Sequence, residues 1–277
     1  MKFKTLNIAF DNGIGVVWMN RPEVRNAFNE TMIDEITRAF RALDADKGVR
    51  AVVLAGYGPA FCAGADLNWM KKMSGYGFEE NHADAMALAS MLNTIYMMEK
   101  PTIARVHGPA FAGGMGLAAA CDISVAAYEA EFCLSEVKLG LIAATISPYV
   151  VAAMGEHHAR RYFLTAERFT AAEAYRIGLV HELAPIAELD ARVNELLGHL
   201  LAASPSAIAA SKDLIRSVAR GAIDAGMVVD TATRIAGARA SADGKEGVRA
   251  FLEKRKPAWT EAAMPQAQKA AKRARKG

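Results

Sequence analysis

Two glycine-rich turns, Phe61-Cys62-Ala63-Gly64-Ala65-Asp66 and Phe111-Ala112-Gly113-Gly114-Met115-Gly116, decide how this chain folds. Each turn follows a strand-like apolar run and leads into a helical pattern. Glycine permits positive φ and lets a backbone approach a ligand closely. A helix that begins at Gly113 also leaves unpaired N–H groups in its first turn, at the positive end of the helix dipole. Both turns can therefore point N–H groups at one shared anion, such as the charge that develops on a carbonyl oxygen.

Other uses of glycine-rich turns have to be weighed against this one. Tight turns of purely structural purpose have the same composition, so that interpretation stays open at this point. Neither turn is a phosphate-binding loop, because no Gly-Lys-Ser/Thr sequence follows it. Neither has the Gly-x-Gly-x-x-Gly pattern of a dinucleotide site at a first strand–helix junction.

The first two thirds of the chain alternate between strand and helix patterns. The predicted strands are 7–10, 13–19, 51–54, 102–106 and 122–127. Asn29 is placed to cap a helix with apolar residues at helical spacing, and a second helix is predicted over 81–98. Strands separated by helices favour parallel pairing through crossovers. We therefore expect an α/β core over 1–195, a helical region over 196–260 and a basic, disordered tail over 261–277.

Composition places the chain in the globular class, with 52% hydrophobic and 23% charged residues among 277. Three cysteines, an odd number, favour reduced thiols and a cytoplasmic location, and the first residues show no apolar run of signal-peptide type. The uncharged stretch 139–155 is too short for a membrane span and contains Pro148, so it predicts a buried turn and helix. The six histidines show no metal-site spacing, and no metal is expected.

The small net charge of +3 is concentrated at the end of the chain. Residues 257–277 contain five lysines and arginines against one acidic residue, Glu261, so the rest of the chain is nearly neutral. We interpret this tail as a solvated terminus. The weaker alternative is a scaffold protein whose basic tail recruits RNA, and the near-neutral body argues against it.

The carboxylate that fits the two turns best is Glu136, in Ser135-Glu136-Val137-Lys138-Leu139-Gly140. Apolar residues flank this segment on both sides. A carboxyl group in such surroundings has a raised pKa and can exchange a proton near neutral pH. The alternative is a surface glutamate that pairs with Lys138, and spacing alone does not separate the two.

These residues together resemble a known family. The crotonase (enoyl-CoA hydratase/isomerase) superfamily has the following motifs in the same order: Arg21-Pro22, Arg25-Asn26-Ala27, Phe61 to Leu67, Gly113-Gly114, Cys121-Asp122, Glu136 with Leu139-Gly140, and Glu246-Gly247 to Lys254-Arg255. The likeness covers about residues 5–260. It implies a core of repeated ββα units, a helical C-terminal trimerisation region, and trimers or hexamers built as dimers of trimers.

The resemblance also implies a substrate and a set of site residues. Ligands of the family are acyl-CoA thioesters, so coenzyme A belongs to the substrate and no separate cofactor is expected. The backbone N–H groups of Ala65 and Gly113 would hold the thioester oxygen, and Glu136 would be the acid/base. Coenzyme A contacts are implied at Val24, Arg25, Ala63 and Leu67, and from a neighbouring subunit at Phe251 and Lys254. Trp69 is our candidate for a wall of the acyl pocket.

One position departs from the family pattern. Two-glutamate hydratases have a glutamate where this chain has Gly116, so only Glu136 remains of the pair that holds the attacking water. The stretches FCAGADLNWM (61–70) and FCLSEVKLGLI (132–142) resemble bacterial methylglutaconyl-CoA hydratases of leucine breakdown and related terpenoid-pathway hydratases. A Δ3,Δ2-enoyl-CoA isomerase, which needs one carboxylate, and a general enoyl-CoA hydratase are the alternatives.

Overall fold

The computed structural model describes residues 2–219 and 221–262, and for residues 261 and 262 it describes the backbone only. The strands are β1 (Leu6–Asp11), β2 (Ile14–Met19), β3 (Ala51–Gly56), β4 (Thr102–Val106), β5 (Ala110–Phe111), β6 (Ile123–Ala127), β7 (Glu131–Cys133), β8 (Phe169–Thr170) and β9 (Glu182–Ala184). The helices are α1 (Glu30–Ala45), α2 (Leu67–Met73), α3 (Phe78–Met97), α4 (Gly113–Ala120), α5 (Ser147–Thr165), α6 (Ala171–Arg176), α7 (Leu189–Ala202), α8 (Pro205–Val218), α9 (Ala225–Ala240), α10 (Ala242–Leu252) and α11 (Ala258–Ala262).

A six-stranded sheet in the order β1-β2-β3-β4-β6-β9 forms the centre of the molecule. The β1–β2 pair is an antiparallel hairpin, and the remaining pairs are parallel. Both faces of β3 are buried: Val52 and Leu54 belong to one core, and Ala51 and Val53 belong to the core beneath α7. A strand buried on both faces must be apolar throughout. The predicted α/β class is therefore confirmed.

A smaller sheet, β5-β7-β8, lies beside the main one. Its strands and β9 were not predicted, because segments of two or three residues are too short to show a period. β5 pairs with β7 in parallel, and β7 pairs with β8 in an antiparallel arrangement. This small sheet carries the second glycine turn and the segment of Glu136.

Helix α1 forms as its sequence predicts. The Asn29 side chain accepts a hydrogen bond from the Met32 N–H at 2.9 Å and caps the helix. Its apolar face is buried, but so is Glu35, whose carboxylate accepts hydrogen bonds from the backbone N–H groups of Lys4 and Thr5 and from the Thr5 hydroxyl. Those three bonds compensate for taking a charge out of water.

The C-terminal helices are fixed to the core by a buried lysine. Lys212 of α8 is 8% exposed, and its Nζ donates to Asp122 Oδ2 at 2.5 Å and to the Lys100 carbonyl at 2.9 Å. Asp122 Oδ2 also accepts from the backbone N–H and the hydroxyl of Thr102. The predicted boundary at 195/196 falls inside α7, which packs on the sheet, and that helix ends at Ala202.

Three other expectations concern the apolar stretch 139–155, a membrane-spanning helix and the basic tail. Leu139 and Ile142 are 59% and 77% exposed, so the start of the 139–155 stretch is not the buried turn predicted, and helix begins at Ser147. No helix within residues 2–219 and 221–262 combines the length and apolar character that crossing a membrane requires. Residues 263–277, most of the predicted basic tail, lie outside the described residues.

Candidate active site

Three short parallel segments bring the two glycine turns and Glu136 together. Cys62 of the first turn forms a parallel bridge with Ala110 of β5, and β5 in turn pairs in parallel with β7. The Phe111 N–H donates to the Cys62 carbonyl at 2.9 Å, and the Ala112 N–H donates to the Cys133 carbonyl at 2.8 Å. The three segments therefore run side by side and end at one edge.

The residues predicted to carry the chemistry follow these three segments. Ala65 comes three residues after the Cys62 bridge, Gly113 comes two residues after the end of β5 and begins α4, and Glu136 comes three residues after the end of β7. Ligand sites of parallel α/β structures form at the carboxyl ends of the strands for the same reason. The predicted grouping of two turns and one carboxylate thus has a physical basis in strand pairing.

Close packing of the two turns requires glycine. A Cβ atom at position 114 would lie 2.3 Å from the Cys62 carbonyl oxygen, which is inside any permitted contact. Gly64 has φ +95°, and a Cβ there would lie 3.1 Å from the Cβ of Ala112. The glycines are explained by the approach of one turn to the other.

The backbone N–H groups of Ala65 and Gly113 are both available as donors. Phe28 donates to the Gly64 carbonyl and accepts from the Asp66 N–H, which leaves the Ala65 N–H directed away from this bridge. Gly113 is the first residue of α4. Within the described residues, neither N–H donates a hydrogen bond.

Glu136 begins a 3-10 helix, Glu136–Leu139, and Gly140 caps its C-terminal end. Its Oε2 is buried and has no hydrogen-bond partner among the described residues. Burial raises the pKa of this carboxyl above its ordinary value. The alternative of a pair with Lys138 is wrong, because the Lys138 Nζ donates to the Ala166 carbonyl at 2.7 Å.

A buried polar network braces the first turn. Asp66 caps α2 by accepting from the N–H groups of Asn68 and Trp69, and its Oδ2 accepts from Arg21 at 2.7 Å. Burial acts to raise the Asp66 pKa, but the hydrogen bond from Arg21 and those from the backbone keep it below its usual value. Asp66 stays charged and serves the turn's geometry.

Asn26 is a site-shaping residue whose role was missed from sequence. It is fully buried at φ 54°, its Oδ1 accepts from the Arg21 N–H, and its Nδ2 donates to the carbonyls of Tyr57 and Ala60 at 2.8 and 2.9 Å. These bonds hold residues 21–28 against the first turn. An asparagine among charged residues in a loop was the available signal.

Four of the implied coenzyme A contacts lie together. The Ala63 N–H donates to the Arg25 carbonyl at 3.0 Å, which places the segment of Val24 and Arg25 against the first turn. Leu67 is 81% exposed at the start of α2, and the Arg25 side chain is exposed. Their contact with coenzyme A stays a prediction.

The remaining candidates lie elsewhere. Phe251, 81% exposed, and Lys254 lie at the C-terminal end of α10, among the C-terminal helices. Trp69 is 5% exposed within the main core, and its indole N–H donates to Asp84 Oδ1 at 3.1 Å. Its contact with an acyl group stays a prediction. The Cys62 thiol is buried, and burial raises its pKa to about 12, so it is no nucleophile.

Gly116 is the fourth residue of α4 and is buried. The buried side chain of Ile146, which immediately precedes α5, packs against it: a Cβ atom at position 116 would lie 2.2 Å from Ile146 Cγ2. Nothing in the sequence pattern connects these two residues, which are thirty positions apart. The contact became visible only in three dimensions.

Comparison with known proteins shows the family to which the chain belongs. A family model described as enoyl-CoA hydratase/isomerase matches residues 9–262. A putative enoyl-CoA hydratase of Thermus thermophilus is 39% identical over 244 residues, which are 88% of this chain and 96% of that protein.

Two solved structures are similar over nearly the whole chain. An enoyl-CoA hydratase from Shewanella pealeana has a TM-score of 0.91 and 42% identity, covering 93% of this chain and 97% of its own. A putative enoyl-CoA hydratase/isomerase (crotonase) from Legionella pneumophila has a TM-score of 0.88 and 42% identity, covering 93% and 100%. The crotonase resemblance is thereby confirmed, and the chain belongs to the enoyl-CoA hydratase/isomerase family.

Proposed function

We propose that this enzyme adds water to a branched, carboxylated α,β-unsaturated acyl-CoA, and that 3-methylglutaconyl-CoA of leucine breakdown is its substrate. The observation that carries the chemical part is the buried Oε2 of Glu136, which lacks a partner in the described residues. It belongs to the segment that ends at the same edge as the N–H groups of Ala65 and Gly113, neither of which donates a hydrogen bond in the part of the chain that the structure describes.

In the proposed reaction, the Ala65 and Gly113 N–H groups donate hydrogen bonds to the thioester oxygen. They polarise the conjugated double bond, make C3 electrophilic and stabilise the enolate. Glu136 takes a proton from the water molecule while the water oxygen forms a bond to C3. The same carboxyl group then delivers that proton to C2. The reaction adds one water molecule in total, and coenzyme A takes part only as a portion of the substrate.

The acyl group is assigned from two features. The stretches 61–70 and 132–142 resemble methylglutaconyl-CoA hydratases, and Gly116 replaces the glutamate of two-glutamate hydratases. Hydration is favoured over isomerisation because relatives such as those of Thermus and Shewanella are named hydratases.

Three free, buried cysteines support the cytoplasmic location expected from the sequence.

Replacing the carboxylate tests the mechanism. Glu136→Gln keeps the size of the side chain but cannot exchange a proton, so turnover of 3-methylglutaconyl-CoA should fall by about 10²–10⁴-fold with little change in binding. Steady-state kinetics measure this, with Glu129→Gln, an exposed glutamate, as the matched control. Near-normal turnover by Glu136→Gln would remove Glu136 from the mechanism.

A substrate panel tests the acyl assignment. We expect kcat/KM for hydration of 3-methylglutaconyl-CoA, followed as loss of conjugated absorbance, to exceed that of crotonyl-CoA by at least about 10-fold. A 3-enoyl-CoA, followed by double-bond migration, is the third substrate. Faster migration than hydration would make the enzyme an isomerase, and equal use of both hydration substrates would make it a general enoyl-CoA hydratase.

The same substitution should also change stability with pH. Burial raises the Glu136 pKa, so the folded chain binds this proton more tightly than the unfolded chain, and stability declines as pH rises from about 4.5 through the folded pKa. Glu136→Gln should therefore raise the thermal midpoint in weakly alkaline buffer, and the gain should vanish near pH 4.5. Thermal unfolding across pH, again with Glu129→Gln alongside, measures it. A gain independent of pH would contradict the assignment of the penalty to ionisation.

A trimer, or a hexamer of two trimers, is the proposed assembly. None of the residues of α9 is fully buried within the chain, and Val228, Val229 and Ile235 are 61%, 65% and 51% exposed. Apolar patches of this kind favour burial against another chain. Light scattering should give a mass of three or six chains, and Val229→Lys should reduce it. Ala191→Lys, on the exposed side of α7, should leave the mass unchanged; a monomeric wild type would refute the assembly.

A further inference from the structure

We propose that Ile146 takes the place of a second catalytic carboxylate and restricts the site to a single acid/base group. The proposal rests on the proposed function, since it concerns which groups take part in that reaction. It assigns a specificity role to a residue outside the two turns and outside the Glu136 segment.

The first support is the fit between Ile146 and Gly116. A Cβ atom at position 116 would lie 2.2 Å from Ile146 Cγ2 and 2.7 Å from Ile146 Cβ, whereas ordinary contacts begin at 3.4 Å. Any side chain at position 116 begins with that Cβ. The space into which a glutamate would extend from α4 is therefore already occupied by hydrocarbon.

The second support is that Ile146 cannot move aside. Both atoms in the clash are at or next to its branch point, and a β-branched side chain has little rotamer freedom. The side chain is 2% exposed. Its carbonyl accepts hydrogen bonds from the N–H groups of Tyr149 and Val150 at 3.1 Å, so its backbone is part of the start of α5.

This arrangement has a consequence for the chemistry. With hydrocarbon facing position 116, water is not held from the α4 side, and Glu136 handles both proton transfers. A single carboxylate also titrates alone, whereas two neighbouring carboxylates titrate as a coupled pair. A purely structural packing contact would affect stability and leave the pH profile of the reaction unchanged.

The steric part is tested by a double-mutant cycle on stability. Gly116→Ala should lower the thermal midpoint even though alanine favours helix, and Gly198→Ala should not, because nothing lies within 4 Å of a Cβ there. In the Ile146→Gly background, Gly116→Ala should be neutral or stabilising. Equal effects of Gly116→Ala in both backgrounds would overturn the proposal.

The catalytic part is tested with Gly116→Glu combined with Ile146→Gly. We expect this variant to fold, to show a second ionisation in the pH profile of kcat/KM, and to hydrate crotonyl-CoA at least about 10-fold better than Ile146→Gly alone. Gly116→Gln with Ile146→Gly is the matched control and should show neither change. Failure of Gly116→Glu/Ile146→Gly to fold, or an unchanged profile, would overturn the proposal.

The outcomes separate this proposal from the proposed function. If the wild type does not hydrate 3-methylglutaconyl-CoA, the proposed function fails, whatever the stability cycle shows. If the wild type hydrates it and Glu136→Gln loses turnover but the stability cycle is additive, the function stands and the role of Ile146 is refuted. The cycle requires no substrate, so it is independent of the acyl group.

Discussion

The parallel pairing of three short segments is the constraint on which the site depends. Cys62 is bridged to β5, and β5 is paired with β7, by main-chain hydrogen bonds of 2.8–3.1 Å. Because these bonds fix the register, they also fix where the residues that follow must lie. The main-chain pairing alone, without any side-chain contact, therefore directs the segments that carry Ala65, Gly113 and Glu136 to a common edge.

The site combines a buried polar atom that lowers the stability of the fold with hydrogen bonds that hold the first turn. Glu136 Oε2 is buried without a partner in the described residues, a state that lowers stability. Around the first turn, by contrast, Arg21 donates hydrogen bonds to Asp66 and Asn26, and Asn26 donates to the carbonyls of Tyr57 and Ala60. The first turn is held in place because the polar side chains that brace it are paired, whereas the carboxyl group of Glu136 stays reactive because one of its oxygens has no partner among the described residues.

The sequence predicts what depends on local pattern. Periodicity and capping chemistry predict the Asn29 cap, the apolar face of α1 and the five longer strands of the main sheet, and the apolar flanks of Glu136 mark that residue. Strands β5, β8 and β9 are too short for a period to appear. The bonds from Asn26 to Tyr57 and Ala60 and the contact of Gly116 with Ile146 join residues about thirty positions apart, and only the tertiary fold defines them.

Because the proposed hydrogen-bond donors are main-chain groups, the residues next to them are more restricted in type than the donor residues themselves. No substitution at Ala65 except proline removes its N–H group, so the identity of that residue matters less than the path of the backbone. That path requires Gly64 at φ +95° and Gly114 against the Cys62 carbonyl. Only the carboxyl group depends on one side chain. A turn of this kind therefore tolerates change at the donor itself and is disrupted by a single methyl group one position away, where the two turns touch.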